Sequence, residues 1–335
     1  MGTESCPHLA HYRGGNIMKR HSYIVASLLL LLFILTGCAQ NQGNEQAANA
    51  QQASAETLPQ SISTAEQNSA NANESPRIVS TTVAITQMLD ALELDVIGVP
   101  TSVKELPQRY DDATRVGNPM SPDMELVKSL KPSEVLSVTT LEYDLKPVFE
   151  EAGIEATFLN LTSVASMNQS MLDLGEKYDR SAQAAELVGK FEQKVSDIKE
   201  LTASYENPTV LILMGIPGSY LVATEHSYIG DLVRLAGGIN VVQGEEVEYL
   251  ASNTEYLFQS NPDVILRAAH GMPDEVVKMF DEEFKTNDIW KHFNAVQNER
   301  VYDLEERLFG TTGNLLAIEA IDALLPMLYP ELAQK

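Results

Sequence analysis

The sequence predicts an α/β protein of two Rossmann-like lobes joined by one long α-helix. Three observations carry this expectation. Short β-type runs alternate with helical spacing from Arg77 to Leu159, the same alternation restarts after Pro208, and the stretch between, Ser166 to Tyr205, is proline-free and rich in helix formers.

Taken in order, the chain opens with a leader. Met18-Lys19-Arg20-His21 precedes an almost continuous apolar run, 23–35, and then Leu35-Thr36-Gly37-Cys38. The run is shorter than the roughly 18–20 residues a bilayer-spanning helix needs, and its basic flank comes first, as in an export signal. The ending resembles the lipobox of bacterial lipoproteins. Residues 1–37 are therefore expected to be a cleaved signal peptide with its start at Met18, and Cys38 to be the lipidated (palmitate-bearing) N-terminus. Two or more acyl chains would anchor the protein to the extracytoplasmic face of a bacterial cell membrane without a membrane span.

Residues 38–75 are mostly Ala, Gln, Asn, Ser and Glu, and cannot bury enough apolar surface to offset ordering entropy. They read as a tether with a coil-like reach on the order of 35 Å. The N-terminal lobe, 76–163, begins with the strand Arg77 to Ser80 and a helix from Val83 to Leu94, apolar at Val83, Met88, Leu89 and Leu92. Strands at Asp95–Val99, Val135–Val138 and Ala156–Leu159 follow.

In the linking segment, 164–206, a helix starting at Ser181 places Ala184, Leu187, Phe191, Val195, Ile198 and Leu201 on one face. Such a rod between lobes favours a pre-formed cleft with limited closure. The C-terminal lobe, 207–335, has a strand from Thr209 to Met214, a turn at 215–218, a helix from Ile229 to Ala236 closed by Gly237-Gly238, a helix from Asn253 to Gln259 and a strand from Val264 to Ala268. Glu125, Pro132, Val135 and Leu136 are spaced as are Glu255, Pro262, Ile265 and Leu266, a modest sign of duplication between the lobes.

Composition narrows the function. The chain carries 23 basic and 47 acidic residues, net −24; without the leader's Arg13, Lys19, Arg20 and Glu4 it carries 20 and 46, net −26. Nucleic acid and anionic lipid would repel such a body. Cys6 and Cys38 are the only cysteines, so a disulfide or thiolate metal site is not expected after processing. Past the leader only His226, His270 and His292 remain, too scattered for a zinc site. No Gly-x-Ser-x-Gly elbow, phosphate loop or dinucleotide turn occurs, so an enzyme is not expected.

His270 stands out because it ends the run Val264–Ala269, and ligands in open α/β sheets bind beyond the carboxyl ends of strands. Position alone leaves two readings, a ligand-bearing histidine or one bonded to the next loop. Met120, at a loop tip between Pro119 and a helix start at Ser121-Pro122, reads either as plastic core filler or as a thioether set out for a ligand, with Met124 better placed for the core. Thr81, Thr82, Thr101 and Ser102 read equally as helix caps and turn formers.

The lipobox, the tether, the two lobes and the strand entries Leu130-Lys131-Pro132 and Asn261-Pro262-Asp263-Val264-Ile265-Leu266 resemble the metal-chelate substrate-binding proteins of ABC importers. These have the class III periplasmic-binding-protein-like fold. Within that group, Val116 to Glu125 and Arg267 to Pro273 are similar to the heme-binding lipoproteins of iron-regulated surface determinant systems. The resemblance implies a high-affinity receptor for heme b (iron protoporphyrin IX) in iron acquisition, with Met120 and His270 as axial iron ligands from opposite lobes and Met272 as a rival thioether. Imidazole with thioether is an established axial pair, and a soft thioether suits heme iron better than Ca²⁺ or Mg²⁺.

The same resemblance implies propionate contacts from Val83 and Ser102 first, then Thr82, Val103 and Lys104. Tyr143, Tyr220, Phe258 and Phe309 are candidates to lie against the porphyrin. Glu125 and Glu255 would dock arginines of an ABC permease, either two subunits or a homodimer, working with an ATPase; as plain residues they are solvated helix carboxylates. An upstream cell-wall heme donor and a monomeric state complete the expectation. A ferric siderophore or corrinoid, met in part by Arg267, is the alternative ligand.

Overall fold

The computed structural model describes residues 75–334, so the leader, the lipobox with Cys38 and all but the last residue of the tether lie outside it. Two parallel-rich sheets form the body. The first uses β1 (Ile78–Ser80), β2 (Val96–Val99), β3 (Thr114–Arg115), β6 (Glu134–Val138) and β7 (Ala156–Leu159) in the order β3-β2-β1-β6-β7, every pair parallel. Between them run α1 (Val83–Ala91), the small hairpin β4 (Gly117–Asn118) and β5 (Ser121–Pro122), α2 (Met124–Ser129) and α3 (Glu142–Ala152). The first helix stops short of the expected Leu94, because Glu93 takes a left-handed turn at φ 56°.

Two helices follow, α4 (Val164–Lys177) and α5 (Ser181–Thr202), broken at Asp179, where φ is 56°. The buried face of α5 is Ala184, Val188, Phe191, Ile198 and Thr202. Leu201, expected on that face, points to solvent. The stripe thus advances in a mixture of threes and fours that ends on a threonine, whose hydroxyl is satisfied by the Ile198 carbonyl at 2.9 Å.

The second sheet contains β8 (Thr209–Ile216), β9 (Ser219–Ala223), β10 (Ile239–Asn240), β11 (Tyr249–Ala251), β12 (Val264–Ala269) and β13 (Val301–Asp303). Its order is β11-β9-β8-β12-β13, with β10 also pairing β8. It carries α6 (Tyr228–Leu235), α7 (Thr254–Ser260), α8 (Pro273–Thr286), α9 (Asn294–Gln297) and α10 (Ala317–Leu328). The expected turn at 215–218 is narrower than the sequence suggests. Gly215 and Ile216 extend β8, and Pro217-Gly218 alone turn the chain into antiparallel β9, with Gly218 at φ 83°.

The two sheets share a continuous apolar cluster. It runs from Ile78 and Leu136 through Met167, Met171 and Phe191 to Val210, Leu266 and Ile321. Polar ties reinforce it: the Val164 amide donates to buried Asp231 at 2.8 Å, and the Gly313 amide donates to the Leu161 carbonyl at 2.6 Å. Opening the lobes widely would expose this apolar surface, which opposes large hinge motion.

The spaced repeat has a conformational counterpart. Lys131 and Asn261, each preceding a proline, both adopt positive φ, 47° and 39°. Glu125 and Glu255 are each the second residue of their helices, α2 and α7. A non-glycine residue in that conformation is uncommon, so its recurrence at equivalent points strengthens the match.

Candidate functional site

The candidate residues lie where loops leave the carboxyl ends of strands in both sheets. His270 follows β12, a strand buried along its whole length. Its amide donates to the Gly215 carbonyl at 2.8 Å, extending the ladder to the final residue. Gly271 at φ 74° and Met272 at φ 48° then reverse the chain, and Pro273 opens α8. The backbone is fixed while the imidazole stays accessible. Partial burial lowers its pKa first, the Lys104 charge lowers it further, and Glu306 opposes them. The net result favours the neutral imidazole a metal needs.

Met120 is held differently. Asn118 pairs with Ser121 across β4 and β5, leaving Pro119-Met120 as a two-residue tip whose Met120 amide donates to the Asn118 side chain at 2.8 Å. The side chain is 67% exposed, which removes the core-filler reading. The expected helix start at Ser121-Pro122 is corrected: these residues form β5, and Asp123 caps α2 by accepting from the Leu126 amide at 3.0 Å.

Several expected propionate groups already have partners. The Thr82 hydroxyl accepts from the Ile85 amide at 3.4 Å and caps α1, while the Thr81 hydroxyl donates to the Leu136 carbonyl of β6 at 3.1 Å, a tie between neighbouring strands. Val83, the first residue of α1, retains the role that a helix start gives its amide, since first-turn N–H groups have no intrahelical acceptor. The Ser102 hydroxyl accepts from the Lys104 amide at 2.9 Å, and Val103 beside it is fully exposed. Lys104 is paired with Glu306 of the other lobe at 3.3 Å. A depression of about 340 Å³ includes Thr101, Ser102, Lys104 and Arg115, but neither Met120 nor His270 lines it.

The aromatic candidates separate cleanly. Tyr143, at the start of α3, is 92% exposed. Tyr220 and Phe309 are corrected to structural roles. Tyr220 packs on Phe280 and Trp290 and donates to Glu283 at 3.3 Å, while Phe309 is buried in the shared core. Phe258 lies edge-on to Phe293 and His292 rather than reaching a ligand face. Met272 remains exposed, so exposure does not separate it from Met120.

Arg267 is also withdrawn from ligand binding. Its side chain is 9% exposed, grips Asp303 at 2.5–2.7 Å and Asp281 at 3.0 Å, and lies between the rings of Phe280 and Phe284. A cation so committed offers little to an anionic siderophore. Glu306 is a residue sequence reasoning missed. The signal available was the β-type run Val301–Asp303 immediately before it, which makes 304–309 another strand-end loop.

Two α/β sheets with strand-end loops from both lobes, bridged by a long helix, are the architecture of a substrate-binding protein, and the chain belongs to the periplasmic binding protein family, whose profile matches residues 78–308. It is 49% identical over 258 residues to the high-affinity heme uptake system protein IsdE of Staphylococcus aureus strain Newman, covering 76% of this chain and 88% of that protein. Among solved structures, S. aureus IsdE complexed with heme matches with a TM-score of 0.73 and 50% identity, over 76% of this chain and 99% of that one. An ABC transporter substrate-binding protein from Listeria monocytogenes EGD-e matches with a TM-score of 0.74 and 59% identity, over 77% and 100%. The class III two-lobed fold expected from the sequence is thereby borne out.

Proposed function

We propose that this protein is a heme receptor that binds heme at the cell surface and delivers it to an ABC permease for iron acquisition. The observation that carries the reading is the placement of an exposed thioether, Met120, and an accessible imidazole, His270, on strand-end loops of opposite lobes. The near-half identity to a heme uptake protein supports it. In this reading the two side chains approach the iron from opposite faces of the porphyrin. The soft sulfur and the imidazole would together favour low-spin iron with a raised reduction potential. The α1 start at Val83, the Ser102–Lys104 loop and Tyr143 receive the propionates and the porphyrin edge, with Thr82 holding the helix start in shape.

The finer assignments belong to the same reading. Cys38 carries the lipid that keeps the monomer on the extracytoplasmic face. Glu125, exposed and without an ion pair among the described residues, docks one side of the permease. Glu255, equivalent in α7, docks the other. An ATPase drives transfer, and a cell-wall donor supplies heme.

Titration of the purified protein with hemin tests this. A saturable Soret band at one heme per chain is expected. Corrinoid or ferric-siderophore binding without a hemin band would contradict it.

A further inference from the structure

We propose that Glu306 is an internal competitor for the ligand's carboxylates: it holds Lys104, the cation placed to meet a propionate, and so sets the affinity for carboxylate-bearing porphyrins. The proposal rests on the heme reading above. Lys104 stands in the loop after β2 of the first sheet and Glu306 in the loop after β13 of the second, so their 3.3 Å ion pair crosses from lobe to lobe. β13 pairs in parallel with β12, with Asp303 opposite Arg267, so the loops that carry Glu306 and His270 leave neighbouring strands at the same end of the second sheet.

The two partners are unequally held. Glu306 lies on a turn in which the Leu308 and Phe309 amides both donate to the Glu305 carbonyl at 3.0 Å, and its flanks Leu304, Leu308 and Phe309 are buried. The neighbouring Glu305 carboxylate is taken by Arg307 at 2.9 Å, leaving Lys104 as the one ion-pair partner of Glu306 among the described residues. Lys104 is the more exposed of the two and ends a flexible four-carbon stem. The carboxylate is therefore the fixed post and the ammonium the movable arm.

A propionate and Glu306 are chemically equivalent partners for one ammonium. When a propionate takes Lys104, Glu306 loses its counter-charge and faces an incoming anion of the same sign, which weakens binding. When the ligand leaves, Glu306 recaptures the lysine. A receptor that must surrender its cargo gains a release route from such an exchange.

Hemin and hemin dimethyl ester, whose carboxyls are neutralised, separate this role from a general effect on the cleft. For Glu306→Gln, hemin should bind about two- to five-fold more tightly, the range an exposed ion pair supplies. Binding of the ester should be unchanged. In a Lys104→Met background the Glu306→Gln gain for hemin should shrink, because no lysine is left to be freed. Unchanged or weaker hemin binding by Glu306→Gln, an equal gain for the ester, or an undiminished gain without Lys104 would each overturn the proposal. A wild-type protein with no hemin band would overturn the heme reading itself, a distinct result from hemin binding that ignores Glu306.

Discussion

The two lobes present their candidate iron ligands on opposite kinds of support. His270 follows a six-residue strand buried at every position and precedes a fourteen-residue helix, so both flanks are anchored in the core. Met120 sits on the tip of a hairpin of two two-residue strands, at the surface and held by a single side-chain hydrogen bond. Backbone strain and burial favour the histidine side: Met272, a non-glycine residue at φ 48°, and the Arg267 clamp tying β12 to β13 and α8 lie within three residues of His270, whereas the positive φ of the Met120 hairpin falls on a glycine, Gly117 at 100°. The difference suggests a fixed ligand paired with an adaptable one, which suits a site that must first capture and then release an axial bond.

The contrast can be broken at its firm end. His270→Ala should lower heme affinity by more than about 100-fold, beyond the cost of losing a ligand's supporting partner, and should collapse the low-spin spectrum. Equilibrium titration checks this. Near-normal affinity would show that the imidazole is not the fixed ligand. Next in size is Arg267→Met, which strands two carboxylates. It should cost about 2 kcal/mol in denaturant unfolding, less than a fully buried pair because Asp281 and Asp303 are partly wetted.

Gly215→Ala tests the packing beneath the histidine. A methyl there would overlap Val276 and the Phe280 ring of α8, so a loss of about 1–3 kcal/mol is expected, read from the unfolding midpoint. A neutral outcome would show that α8 can shift without disturbing its strand. At the adaptable end, Met120→Leu should change stability by under about 0.5 kcal/mol, since the side chain packs on little. Its effect should appear in the heme spectrum alone.

How far the sequence could be read follows the same divide. The C-terminal candidate is legible because a buried strand leaves a largely apolar run, Val264–Ala269, and His270 follows its last residue. The α5 stripe and the Glu-to-Pro repeat were legible for a similar reason, being periodicities of local structure. The Met120 hairpin was misread as a helix start because Ser-Pro is a common entry to a helix, whereas here Ser121 and Pro122 pair with Asn118 and Gly117.

Tyr220 and Phe309 are candidates in the sequence because aromatic rings suit a flat porphyrin, and Arg267 because a cation suits the alternative, an anionic siderophore. Their actual partners, Glu283, the shared core and Asp281 with Asp303, come from distant chain segments that no local pattern reveals. For Glu306 the run Val301–Asp303 marks the loop but not the partner. Its meaning comes from Lys104, about two hundred positions earlier in the chain and in the other lobe.

In the proposed site a methionine on the surface hairpin opposes a histidine at the end of the buried strand. Near-infrared absorption of the ferric heme complex tests it most directly, since sulfur bound to low-spin ferric heme gives a charge-transfer band. The band should be present in the wild-type protein, vanish in Met120→Ala and persist in Met272→Ala. Persistence in Met120→Ala with loss in Met272→Ala would contradict the account and place both axial ligands on one lobe.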